Sequence, residues 1–136
     1  MNKPMDIQAI QNQISRLVSG NDNILLVFLF GSLVHGITHE ESDIDLGIFF
    51  QQIPETTELL EMMGSFSGDL NREVEIVILN TADPIIRMQI LKYGLIIKKD
   101  PRIYNDFFVR ALNEYDDLKY YRKAIEKNIL NGRIYA

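Results

Sequence analysis

The residues best suited to chemistry lie in FLFGSLVHGITHEESDIDLGIFF, where ten residues separate Gly31-Ser32 from Asp43 and Asp45 stands two positions beyond Asp43. A Gly-Ser pair closing an apolar strand lets backbone N–H groups and a hydroxyl approach phosphate with no side chain in the way. Two aspartates at i and i+2 on the next strand project from one face, since side chains alternate across a strand. Hard carboxylate oxygens beside a phosphate site make a magnesium site that also holds a nucleoside triphosphate. The chemistry implied is nucleotidyl transfer.

By chance, Gly-Ser-x10-Asp-x-Asp arises on the order of once in several hundred chains of this length. A plainer reading makes Ser32 a helix cap and the aspartates turn residues before a strand. It accounts for Asp43 but not for Asp45, because a carboxylate between Ile44 and Leu46 costs free energy unless it is paired or metal-bound. A site of this kind needs a third carboxylate, to share a cation or to take the proton of an attacking hydroxyl. Glu75, between Val74 and Ile76, has the same desolvation problem as Asp45, and one shared polar site solves both. General-base help is worth about 10²–10⁴ in rate. Against this, Glu75 could face solvent from a half-exposed strand, or Glu73, two residues earlier and nearer the strand edge, could be the inward one.

The elements that must position these residues alternate along the chain. Ile7, Ile10, Ile14 and Leu17 repeat at helical spacing within residues 5–18, and Ser19-Gly20-Asn21-Asp22 forms a stop. Residues 24–30 are a continuous apolar run, as in a strand buried on both faces. A segment that begins helical and breaks near Gly36 follows the Gly-Ser. The second strand is expected over 43–50, a helix over 55–63, and a polar loop over 64–71. Residues 73–79 make a β-branched third strand. Asp83-Pro84 starts a helix that stops at Gly94. Residues 95–97 form a short edge strand, where Lys98 and Lys99 discourage further pairing. Asp100-Pro101 opens a long helix with a stripe of Ile103, Phe107, Leu112, Tyr115, Leu118, Ile125 and Ile129, ended by Asn131-Gly132. The fold class is α/β (α+β), a small mixed sheet flanked by helices, in one domain with a core over 1–99 and a helical tail over 100–136.

At 136 residues with 46% hydrophobic side chains, the chain can bury a core without staples. It has no cysteine, which excludes disulfides and thiolate metal sites. The opening MNKPMDIQAI has no signal-peptide pattern, and no apolar stretch is long enough to span a bilayer. A soluble cytoplasmic protein of a prokaryote is expected, with no membrane association. The net charge of −5 and the scattered basic residues argue against direct nucleic-acid binding; Lys98-Lys99 and Arg122-Lys123 are expected to be solvated surface.

FLFGS, Gly36, SDIDL and VEIVIL together resemble the minimal nucleotidyltransferases of the polymerase-β superfamily, in particular the MNT-domain antitoxins encoded beside HEPN-domain toxins. The resemblance spans essentially the whole chain. It implies a polymerase-β-like fold in which Gly31 and Ser32 hold the triphosphate of ATP and Asp43, Asp45 and Glu75 bind magnesium and catalyse. The family usually has aspartate where this chain has Glu75. Glutamate is one methylene longer, and a misplacement of about 1 Å can cost on the order of 10²-fold in rate. The implied acceptor is a tyrosine of a HEPN-domain RNase toxin, in a hetero-oligomer with this chain. Adding AMP there would weaken RNA binding through like charge and bulk.

His35 and His39 lie in the loop between the two halves of the motif, where they either touch the nucleotide or are exposed; no spacing suggests zinc. Phe107, Phe108, Tyr115, Tyr120 and Tyr121 are expected to be core or helix-packing surface, with part of that face available to a partner. Two other functions stay open. One is an aminoglycoside-type small-molecule nucleotidyltransferase, although the chain has no room for the usual second domain. The other is a catalytically weak, nucleotide-binding steric antitoxin.

Overall fold

The computed structural model describes residues 6–31, 34 and 43–130, with side chains through 127. Ser32, His35, Gly36, His39 and the Asn131-Gly132 stop lie outside the described residues, as does nearly all of the segment expected to begin helical after the Gly-Ser. The elements are α1 (Ile7–Ser19), β1 (Ile24–Phe30), β2 (Ile44–Phe50), α2 (Thr56–Leu70), β3 (Val74–Ile78), α3 (Pro84–Tyr93), β4 (Leu95–Lys99) and α4 (Pro101–Leu130). The strands form one mixed sheet in the order β3-β2-β1-β4. β1 is antiparallel to β2 and β4, and β3 runs parallel to β2. This is the small mixed sheet flanked by helices, with a long C-terminal helix, of a polymerase-β-like fold.

Alternation along the strands divides the core into two layers. Val27, Leu29, Ile44, Leu46, Ile48 and Val74 pack with α1 and α2, through Ile10, Ile14, Val18, Phe66 and Leu70. Leu26, Phe28 and Leu79 pack on the other face with Ile90 of α3 and Phe107 of α4. Burying a side chain of this size contributes roughly 1.5–3 kcal/mol, so the sheet is a stiff platform for whatever stands at its ends. In β1, Leu26 to Leu29 are all at most 1% exposed, which explains the unbroken apolar run. Within α1, Val18 is fully buried while Leu17 is only partly so.

Local caps form where the residues imply them. Asp83 accepts from the Ile86 N–H at 2.9 Å, ahead of Pro84, and Asp100 accepts from the Arg102 N–H at 3.0 Å, ahead of α4. Four expectations change. The polar loop expected over 64–71 is helical as far as Leu70, because Phe66 and Leu70 bury their side chains and override two helical glycines. Asn71 then closes α2 in the left-handed region, at φ 52°. β4 reaches Lys99 rather than residue 97, because Lys98 and Lys99 pair with Val27 and Leu26. Lys98 is not merely solvated: its ammonium donates to the carbonyls of Val18 and Asn21 at 3.2 and 3.0 Å, closing the C-terminal end of α1. Of the aromatic cluster, Phe107 is core, but Tyr120 and Tyr121 are 73% and 65% exposed. Among the described residues no helix is long and apolar enough to cross a membrane.

Candidate active site

The site forms at one end of the central strand pair, on the sheet face covered by α3 and α4. β1 ends at Phe30, whose register partner on β2 is Asp45. The next residue, Gly31, has φ +87°, a conformation that favours glycine. A Cβ there would run into the carboxylate of Asp45. The strand end and the acid therefore share space that only a glycine leaves free. On its other side Asp45 is paired in register with Glu75 of β3. Paired residues of neighbouring strands face the same way, about 4.8 Å apart, so Glu75 stands on the face of Asp45 as its residue type suggested. Asp43 lies immediately before β2 and is exposed. Glu75 is also exposed, so it does not carry the burial cost expected of it, and Glu73 precedes β3, lending its carbonyl to the Ile44 N–H at 2.8 Å.

The electrostatics are those of carboxylates gathered close enough to oppose one another's charge. The carboxyl of Asp45 is pushed above its ordinary value of 3.8, first by burial and then by the charges of Glu75 and Asp43. Two ion pairs among the described residues, Arg87–Glu114 and Arg110–Asp106, lie elsewhere. Among the described residues no group of three or more His, Asp or Glu is arranged to hold a metal ion. Magnesium, however, is normally held by one or two carboxylates together with phosphate oxygens of a substrate, not by an all-protein cage. Asp45, half-buried, with the hard oxygen donors of Asp43 and Glu75 near it, fits that mode of binding.

One step along the β2 face, Gly47 lets α3 approach: a Cβ there would meet Leu79 and Ile90 side chains at 3.2 and 3.3 Å. The docked helix walls a cavity of about 440 Å³ beside Gly31, lined by Phe30, Val77, Ile86, Gln89 and Tyr93 among others. Its size is that of a small-molecule pocket. Apart from Phe30, which ends the apolar run, these residues carry no motif. A signal existed: Ile86, Gln89, Ile90 and Tyr93 follow i, i+3, i+4, i+7 spacing, a helical face carrying one amide among apolar neighbours.

Residues 12–102 match the family described as polymerase beta, nucleotidyltransferase. The chain belongs to this family. Within it, the chain is 25% identical over 124 residues to the protein adenylyltransferase MntA of Shewanella oneidensis, across 90% of this chain and 89% of MntA. A crystal structure of a toxin–antitoxin with AMP-PNP contains a chain that superposes with a TM-score of 0.75 at 25% identity, over 88% of this chain and 98% of that one. The tri-AMPylated Shewanella oneidensis HEPN toxin in complex with its MNT antitoxin gives a TM-score of 0.72 at 22% identity, over 90% and 98%, a likeness of fold. This nucleotidyltransferase is thus MntA-like in sequence and shape, and the family places it in the nucleotidyl-transfer class.

Proposed function

We propose that the chain transfers AMP from ATP to a tyrosine hydroxyl of a HEPN-domain RNase toxin encoded beside it, and so acts as an antitoxin. Residues 1–99 are the catalytic core in this reading and 100–136 the helical tail. One observation carries it: Gly31, in a glycine-specific conformation, closes against Asp45, with Glu75 in register beside it. Similarity to MntA supports the choice of a protein acceptor.

In this reading Gly31 and Ser32 hold the triphosphate. Asp43 and Asp45, with Glu75 beside them, hold magnesium, which when bound neutralises charge on phosphate oxygens. The acceptor hydroxyl oxygen attacks the α-phosphorus, an O–P bond forms, and the bond to pyrophosphate breaks in line with it. Glu75 takes the hydroxyl proton. Its exposure suits a base that must meet a substrate group arriving from solvent. The cavity beside Gly31 offers room for the nucleoside.

A second reading keeps binding and drops chemistry. It is favoured by Glu75 standing where the family usually has aspartate, one methylene shorter. Incubating the protein with ATP, magnesium and its co-encoded neighbour, then weighing the intact neighbour, separates the two. AMP-sized additions that vanish in the Asp43→Asn/Asp45→Asn variant establish adenylylation. A neighbour that is bound and silenced but unmodified leaves a steric antitoxin.

A further inference from the structure

We propose that a groove between α3 and the outer half of α4 docks an acidic segment of the protein acceptor, an inference that rests on the protein-adenylylating reading. The cavity beside Gly31 shares Gln89 and Tyr93 with a second hollow of about 310 Å³. That hollow shares Ile85, Tyr115 and Lys119 with a third, of about 320 Å³. The two hollows on α4 adjoin as a groove between α3 and α4, and Gln89 and Tyr93 form its border with the cavity beside Gly31. From Tyr115 to Glu126 it follows roughly 16 Å of helix.

The groove has an apolar floor and basic walls. Ile85, Tyr115 and Leu118 line its outer part together with Lys119, Arg122 and Lys123. Lys92 extends the basic wall on α3. Glu126 is the acid among these side chains, and Asp116 and Asp117 of the same helix line neither hollow. A chain of net charge −5 thus gathers four cations along one groove. Like charges drawn together this way favour an anionic occupant and steer its approach.

The occupant is a peptide rather than a nucleic acid. Single-stranded nucleic acid needs open aromatic faces on which bases stack. Here the Lys92 ammonium lies over the Tyr93 ring at 5.3 Å and the Lys119 ammonium over the Tyr115 ring at 5.0 Å. Each ring is thus engaged by a neighbouring cation, and the lysine and arginine charge lining the groove suits carboxylates above an apolar floor.

The test uses the full chain and a charge reversal, Lys119→Glu/Arg122→Glu/Lys123→Glu, on an exposed helix surface where folding is checked by circular dichroism. Binding is read by fluorescence anisotropy of a labelled Glu-rich peptide containing tyrosine, of a Lys-rich counterpart, and of a single-stranded RNA 15-mer. The expected result is preference for the acidic peptide, at least a tenfold loss on charge reversal, and weakening with salt. Lys119→Ala/Arg122→Ala loses an intermediate amount, and ATP affinity by calorimetry stays within twofold. In AMP transfer to the HEPN-domain neighbour, KM rises about tenfold with kcat retained. Equal binding of both peptides, tighter binding of the RNA, or a KM untouched by reversal overturns the groove. Absence of AMP addition by both proteins overturns the transfer reading instead, and the peptide arm still decides the groove.

Discussion

Replacing Gly31 with alanine tests how the site is built. At φ +87° an L-residue costs about 1–2 kcal/mol relative to glycine. The added Cβ also collides with Asp45, whose Cγ and Cβ stand 3.1 and 3.3 Å from the position it would take. Either Gly31's backbone swings to negative φ or Asp45 is displaced, and both move the strand end or the carboxylate by about 1 Å. Such a displacement costs on the order of 10² in rate. The strain alone lowers the Tm by about 4–8 °C, taking about 4 °C per kcal/mol for a chain of this size. Single-turnover AMP transfer with ATP labelled at the α-phosphorus reads the first effect, and thermal unfolding the second. Gly20→Ala is the control, since a Cβ there meets nothing within 4 Å; it should keep wild-type rate. A Gly31→Ala protein turning over within threefold of wild type would refute the claim that glycine and carboxylate must share that space.

Asp45→Asn should abolish transfer and yet melt higher at pH 7, by about 1–3 °C. The native Asp45 carboxyl titrates above 3.8, so the folded chain holds its proton over a window where the unfolded chain has lost it; stability falls as pH rises through that window, and the variant's advantage closes below about pH 4. Glu75→Gln should lower the rate of AMP transfer by about 10²–10⁴ and leave ATP affinity by calorimetry nearly unchanged; equal loss of binding would assign Glu75 to the nucleotide instead. Arg87→Met should lower the Tm by on the order of 10 °C, from a loss of about 3 kcal/mol. Its guanidinium donates to the carbonyls of Leu79 and Asn80 and to Glu114, and lies 5.6 Å from the Phe107 ring centre; a thermal scan that moves by less than 3 °C would show that water replaces these bonds.

What could be read from the residues, and what could not, divides by the range of the interaction. β1 and the caps at Asp83 and Asp100 follow from neighbours in sequence: a continuous apolar run, and a carboxylate ahead of proline. α2 does not, since Gly64 and Gly68 argue for a loop and only burial of Phe66 and Leu70 against the sheet outweighs them. That helix is also tied from outside, where the Val74 N–H donates to Ser67 Oγ at 3.0 Å. Asp45 was legible because its carboxylate interrupts an apolar strand, a local cost that demands an explanation; Glu75, read the same way, is exposed and bears no such cost. Their adjacency depends on β2–β3 register, which the parallel crossover through α2 sets. The spacing of Ile86, Gln89, Ile90 and Tyr93 marks a helical face of α3 but not that it borders a cavity, because that depends on how closely the helix approaches at Gly47, and nothing near residue 89 reports the space left by residue 47. The acids therefore appear in the sequence as violations of strand chemistry, whereas the residues shaping the cavity violate nothing and emerge only from packing. That asymmetry explains why the candidate site could be proposed from its acids and glycine, while the proposed groove beside it could not.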